Sequence, residues 1–134
     1  MLFLGLGTGL GSALVSERVL VPLELGSLPY CARDIEEKAT KIETIGERLS
    51  KQGRKEHGHA AWLLCVHIIT GMLQPVFRAD YIVLGGGNAP EVDPLPANTR
   101  RGGNDDAFAG GFRLWEELVE PHDQPISEVW RVAH

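Results

Sequence analysis

Only two cysteines, Cys31 and Cys65, occur in the chain, and they form no CxxC pair. That rules against a disulfide framework and a thiolate zinc site, and makes the reduced thiols of a cytoplasmic protein the expectation. A basic excess is missing as well. Net charge is −5, with acids and bases mixed along the chain, so no stripe exists to neutralise a phosphate backbone and nucleic acid is not expected as a partner. No run approaches the ~20 apolar residues of a membrane span, so no membrane partner is expected either. The apolar start from Met1 to Val15 lacks a basic leader and is broken by Gly5, Gly7, Gly9 and Gly11, unlike a secretion signal. No glycine run is followed by Gly-Lys-Ser/Thr, which excludes a Walker phosphate loop.

What is present is an ordinary globular composition, 43% hydrophobic and 23% charged over 134 residues. That length suits one core and is short for two lobes closing on a phosphorylated substrate. Met1–Leu6, Ser12–Glu17 and Val19–Leu25 read as three strands. Only Glu17 and Arg18 separate the second from the third, which predicts an antiparallel hairpin. Asp34 caps a predicted helix through Thr40, and Ile42, Ile45 and Leu49 recur at helical spacing before Gly53. Ala60–Phe77 is too long and apolar for a strand and predicts a buried helix, weakened at its end by Gly71 and Pro75. Tyr81–Leu84 predicts a central strand, Ala89–Gly103 a proline-rich loop, and Asn104 or Asp105 the start of a last helix to about Val119. Residues 1–119 are thus the expected domain, with 120–134 a weakly patterned tail.

Two glycine clusters carry the chemistry. Gly7, Thr8, Gly9 and Gly11 lie between two strands, where glycines reach positive φ and leave backbone N–H groups uncovered; with the Thr8 hydroxyl these are what a phosphate cradle needs. The alternative is a glycine-rich hairpin serving close strand packing. A dinucleotide fingerprint would need a helix directly after the glycines, and Ala13–Val21 reads as a hairpin instead. Gly85, Gly86, Gly87 and Asn88 follow a buried strand, where open α/β sheets bind ligands, and bare backbone lets a nucleotide ring or phosphate lie against it. The alternative there is a flexible turn.

These residues carry a resemblance. Leu6-Gly7-Thr8-Gly9-Leu10-Gly11-Ser12-Ala13 resembles the second phosphate motif of the ROK (repressor, open reading frame, kinase) family in the actin and hexokinase superfamily. Ile82-Val83-Leu84-Gly85-Gly86-Gly87 resembles its adenosine motif, and Gly103-Asn104-Asp105-Asp106-Ala107-Phe108-Ala109-Gly110-Gly111 its closing segment. The polyphosphate-glucokinase-like branch, which has no zinc motif, is the nearest match. Pro22-Leu23-Glu24-Leu25-Gly26-Ser27-Leu28 resembles the family's sugar-binding segment, with Ser27 where the family has histidine.

The resemblance implies an α/β fold of the actin/hexokinase-like (ribonuclease H-like) C-terminal ATPase lobe, an antiparallel hairpin plus a parallel strand with helices. It implies sugar binding by Glu24 and Ser27, and phosphoryl transfer to a sugar hydroxyl using Mg²⁺ with ATP or polyphosphate and no structural zinc. A solvent-facing glutamate ending a strand is the plain alternative for Glu24. His57 and His59 read as solvated, and His67 as a core or helix-face residue. The family's base lies upstream of the glycine-rich hairpin, hence upstream of Met1. Asp34, at a helix cap, Asp80, at a strand start, and Asp93, in a loop, are not replacements. No catalytic residue is therefore assigned here. The expectation is a chain inactive alone, with a sugar, a phosphoryl donor, and an N-terminal half or a second copy as partners. A non-catalytic sugar-binding or regulatory module, or an inactive remnant, is the competing reading.

Overall fold

A computed structural model describes residues 1–17, 19–30, 42–103 and 131–132. The helix expected at Asp34–Thr40 and the last helix to Val119 lie outside these residues, as does most of the tail.

The organising element is β1, Leu2–Leu6. Its period-two pattern sends Leu2, Leu4 and Leu6 to one face, each fully buried, and Phe3 and Gly5 to the other. β2, Leu10–Ser16, runs antiparallel to it with Leu2 opposite Leu14 and Leu6 opposite Leu10. β3, Val19–Leu23, pairs antiparallel with β2 from Ser16↔Val19 to Ser12↔Leu23. Glu17 sits at φ 48° in the two-residue turn between them, the left-handed backbone such a turn demands.

The expected second strand started at Ser12; β2 starts two residues earlier, because Leu10 is pulled into the core. That places Gly11 within the strand, opposite Gly5, and shortens the turn to Gly7–Gly9. The expected third strand ended at Leu25; β3 stops at Leu23, and Leu25–Ser27 forms a 3₁₀ turn.

A helical layer follows. α1, Ile45–Leu49, opens with a capping box in which Thr44 Oγ1 accepts from Glu47 N–H (3.1 Å) and Glu47 Oε2 accepts from Thr44 N–H (2.8 Å). Ser50 then ends α1 and starts α2, Lys51–His57: its hydroxyl donates to Glu47 O and accepts from Gly53 N–H. The periodicity from Ile42 predicted an unbroken helix stopping at Gly53. Instead Ile42 is exposed before α1, and Gly53 lies buried inside α2. A Cβ at Gly53 would meet the carbonyl oxygens of Glu47 and Arg48, so only a glycine lets α2 fold back over the end of α1. Gly58, at φ 85°, is the actual stop.

α3, His59–Val76, crosses back toward the sheet. Trp62, Val66, Ile69 and Leu73 press into the Leu2/Leu4/Leu6 face, and Trp62 Nε1–H donates to Leu49 O at 3.0 Å. The expectation of a helix buried all round is corrected: only one side is core, and Leu64, Ile68, Met72 and Val76 are exposed. By length and composition α3 also reaches what a short membrane span needs, which the sequence reading had set aside.

β4, Ile82–Gly85, then runs parallel to β1, and β5, Thr99–Arg101, parallel to β4. β5 was expected to be loop; as an edge strand with one partner it needs no apolar alternation, and Arg100 instead lies over the Tyr81 ring at 4.1 Å. The two residues of β6, Arg131–Val132, pair parallel to β3. The sheet order is β5-β4-β1-β2-β3-β6, a mixed α/β architecture.

Candidate functional site

The β1–β2 turn and the β4 end lie side by side, because β1 and β4 are parallel and in register to Gly5↔Gly85. One carbonyl ties them together. Gly7 O accepts from Asn88 Nδ2–H at 3.1 Å and from Lys51 N–H at 3.0 Å, while Asn88 N–H donates to Leu6 O at 2.9 Å. The turn is further closed by Gly7 N–H donating to Gly9 O. Thr8 and Gly9 stand exposed at its tip. The sequence reading gave this turn positive φ; the glycines that have it among the described residues are Gly58 and Gly86. Gly7, Gly9 and Gly11 are distinguished by room rather than twist, since a Cβ at any of them meets nothing within 4 Å.

The second cluster divides. At Gly85 a Cβ would fall 2.6 Å from Phe3 Cε2, so that position is filled by the Phe3 ring crossing from the neighbouring strand. Gly86 has φ 81°, and its Cβ would fall 2.5 Å from Leu6 O. Both are accounted for by packing on β1. Gly87 alone of the three faces open space. Asn88 is buried, with its side-chain amide engaged on Gly7.

A cleft of about 650 Å³ opens beside the first turn. Thr8 and Gly9 line one side, Glu24 and Ser27 the next, and Glu47, Gln52 and Glu56 of the helical layer the far wall. The 3₁₀ turn that carries Glu24 and Ser27 is pinned to β2 by Ser12, whose hydroxyl donates to Leu23 O (2.8 Å) and accepts from Leu25 N–H (3.1 Å). Its approach to α1 rests on a pair of glycines: a Cβ on Gly26 would lie 2.8 Å from Leu10 O, and one on Gly46 2.9 Å from Gly26 O. Two backbones therefore touch at the edge of the cleft. The structure thus joins Thr8 and Gly9 with Glu24 and Ser27. Gly7, Gly11 and Gly85–Asn88 are not among its lining residues, so of the two glycine clusters only the first contributes to this cleft.

The lining is acidic. Glu24, Glu43, Glu47 and Glu56 contribute to it, and among the described residues no Lys or Arg does. Glu43 is held by Arg48 (3.6 Å) and His57 Nε2 (3.0 Å), Glu47 by the capping box, and Glu56 by Gln52 Nε2–H (2.7 Å). The Glu24 carbonyl accepts from Ser27 N–H at 3.1 Å, while its carboxylate makes no hydrogen bond or ion pair among the described residues. Behind the cleft wall, Cys65 Sγ receives Arg48 Nε–H at 3.3 Å and meets Tyr30 Oη at 3.1 Å. That hydrogen bond, with burial next, raises the Tyr30 phenol above its ordinary range.

Sequence reasoning missed the far wall. Thr44-Ile45-Gly46-Glu47 carries a legible capping-box signature that marks the start of α1. Gln52 and Glu56 carry no such signal, because only the reversal at Ser50 brings α2 to the cleft. Of the histidines, His57 pairs with Glu43, His59 stacks on Trp62, and His67 Nε2 lies 2.9 Å from Pro94 O. Among the described residues, no three His, Cys, Asp or Glu side chains are grouped to hold a metal. Asp80 opens β4 from an exposed position and Asp93 is exposed in a loop, both outside the cleft.

Fold and site together define a mixed α/β domain with a ligand-sized acidic cleft at the end of its antiparallel hairpin. No family model and no curated protein matches the chain.

Proposed function

We propose that this chain is the sugar- and phosphoryl-donor-binding part of a ROK-type, glucokinase-like sugar kinase, with an actin/hexokinase-like lobe as its fold. The observation that supports it is the opening of the Thr8–Gly9 turn and the Glu24–Ser27 turn into one cleft. Phosphoryl transfer rests on holding donor and acceptor together, so candidate donor and acceptor groups must share a cavity. The Glu24 carboxylate, which has no partner among the described residues, would accept hydrogen bonds from two sugar hydroxyls, and Ser27 offers a hydroxyl beside it. The donor's phosphates meet open backbone at Gly9 and the Thr8 hydroxyl.

The four carboxylates of the lining repel a bare polyanion. The same oxygen-rich lining fits Mg²⁺, which takes one or two carboxylates together with substrate phosphates rather than an all-protein cage. Glu24 and Glu56 are the residues placed to meet it. Bound with the donor, the ion supplies positive charge to offset that of the phosphates and the lining. On this reading an adenine ring would contact Gly87, the open glycine of its cluster.

The test is calorimetry with glucose, and with Mg²⁺ plus ATP or polyphosphate, on the full chain and on Glu24→Gln. Loss of one charged acceptor should weaken glucose binding about tenfold or more. Donor binding should need Mg²⁺. Glucose affinity unchanged in Glu24→Gln removes the sugar assignment. Glucose binding with no donor binding favours the second reading, a non-catalytic sugar-binding module.

A further inference from the structure

A phosphate chain needs a cation, and one stands at the rim of the acidic cleft. Lys51 opens α2 between Ser50 and Gln52, both of which line the cleft. Its backbone N–H donates to Gly7 O at 3.0 Å, the same oxygen that Asn88 Nδ2–H reaches at 3.1 Å. The Lys51 backbone is therefore fixed where the two glycine clusters meet.

Helical geometry sets the side from which its side chain leaves. At about 100° per residue, the positions around α2 follow the order Glu56, Gln52, Lys55, Lys51, Arg54. Gln52 and Glu56 belong to the cleft. Arg54, at the other end of that order, pairs with Glu91 at 2.9 Å, in the 3₁₀ turn that follows Asn88. Lys51 thus lies between the cleft and that turn, on the side of α2 that spans the gap from Gly9 to Gly87. It is exposed, and its ammonium has no partner among the described residues. Arg54 is committed to Glu91 and lies over the Trp62 ring at 5.6 Å. Lys55 stands one turn, about 6 Å, farther from Gly7.

We propose that Lys51 is the residue that receives the donor's phosphates, at a subsite on the rim between the Thr8–Gly9 turn and Gly87. It rests on the donor binding proposed above and adds the cation on which that binding depends. The lining carboxylates push a polyanion out of the cleft, so its charge concentrates where the first cation meets it, at Lys51. An ammonium on a flexible four-carbon stem offers three donors to phosphate oxygens without requiring one orientation. Gly7, Gly9 and Gly87 leave open space beside it, so no side chain keeps a phosphate from the backbone there. Only the transferred end of the donor then enters the cleft, and the remainder stays on Lys51.

The experiment is calorimetry on the full chain with inorganic tripolyphosphate and Mg²⁺, and separately with glucose. Lys51→Gln keeps the backbone N–H on Gly7 and removes the charge. It should weaken tripolyphosphate binding about tenfold or more and leave glucose binding unchanged. The affinity that remains should fall less steeply with added salt, because one screened attraction is gone. Lys51→Arg keeps the charge and should retain most of the binding. Arg78→Gln is the control for bulk charge, since Arg78 is exposed ahead of β4, at the opposite end of that strand from Gly87. Tripolyphosphate affinity unchanged in Lys51→Gln overturns the inference and leaves the sugar-kinase reading standing. An equal loss in Arg78→Gln also overturns it, since the attraction would then be to net charge. A native chain that binds no tripolyphosphate removes it together with the donor half of that reading. Dependence on Lys51 in a chain that ignores glucose keeps the phosphate subsite and removes the sugar assignment.

Discussion

The same substitution in two helices should change stability in opposite directions, and the contrast tests how the cleft is built. Gly46→Ala places a methyl 2.9 Å from Gly26 O and 3.2 Å from Gly26 Cα. Ordinary contact begins at 3.4 Å, so α1 and the 3₁₀ turn must separate by about 0.5 Å, and the opposing atoms are backbone rather than a side chain that can swing away. Overpacking of this kind costs about 1–3 kcal/mol, against about 1 kcal/mol gained from helix propensity. The net is a loss of up to about 2 kcal/mol. Gly71→Ala gains the same propensity with open space around it, so it should stabilise by up to about 1 kcal/mol. Urea denaturation should therefore move the midpoint down for the first and up for the second, with equal slopes. Because Gly26 lies between Glu24 and Ser27, Gly46→Ala should also weaken whatever the cleft binds. A Gly46→Ala protein as stable as Gly71→Ala would show that the two backbones do not touch, and the account of the cleft would fall with it.

Two further predictions concern the core. Tyr30 has its folded pKa raised above the ordinary 10.0 by its hydrogen bond to Cys65 and by burial. Its contribution is therefore complete below pH 10 and lost as pH rises through the folded value. Stability should decline in that alkaline window, and Tyr30→Phe should flatten the decline in unfolding curves taken across it; an unchanged slope refutes the assignment. Gly85→Ala drives a methyl into the Phe3 ring and should cost about 1–3 kcal/mol, while Phe3→Leu should recover much of that in the double variant. Additive effects in this cycle would mean that Phe3 does not occupy the space over Gly85.

What the sequence determined by itself was everything that depends on neighbours along the chain. The alternation of Leu2, Leu4 and Leu6, the two-residue spacing at Glu17 and Arg18, and the long apolar run of α3 each encode a local geometry, and the strands, the antiparallel hairpin and the helix appear where they were expected. Thr8 and Gly9 could be singled out because their residue types carry a hydroxyl or expose backbone, and Glu24 and Ser27 through the resemblance of their segment to a sugar-binding one. The tertiary structure decided how they are used. Glycine is selected alike by a ligand, by a turn and by a neighbouring atom, and the chain does not print which: Gly85 answers to Phe3, Gly86 to Leu6 and Gly46 to Gly26, while of the two clusters Gly7, Gly9, Gly11 and Gly87 are left open. The acidic far wall was likewise invisible, since Gln52 and Glu56 join the cleft lining only through the reversal at Ser50 and the burial of Gly53. Hydrophobicity alone also could not say that α3 buries one side and leaves the other bare, because both sides are apolar and only the sheet, which lies on one of them, distinguishes the two.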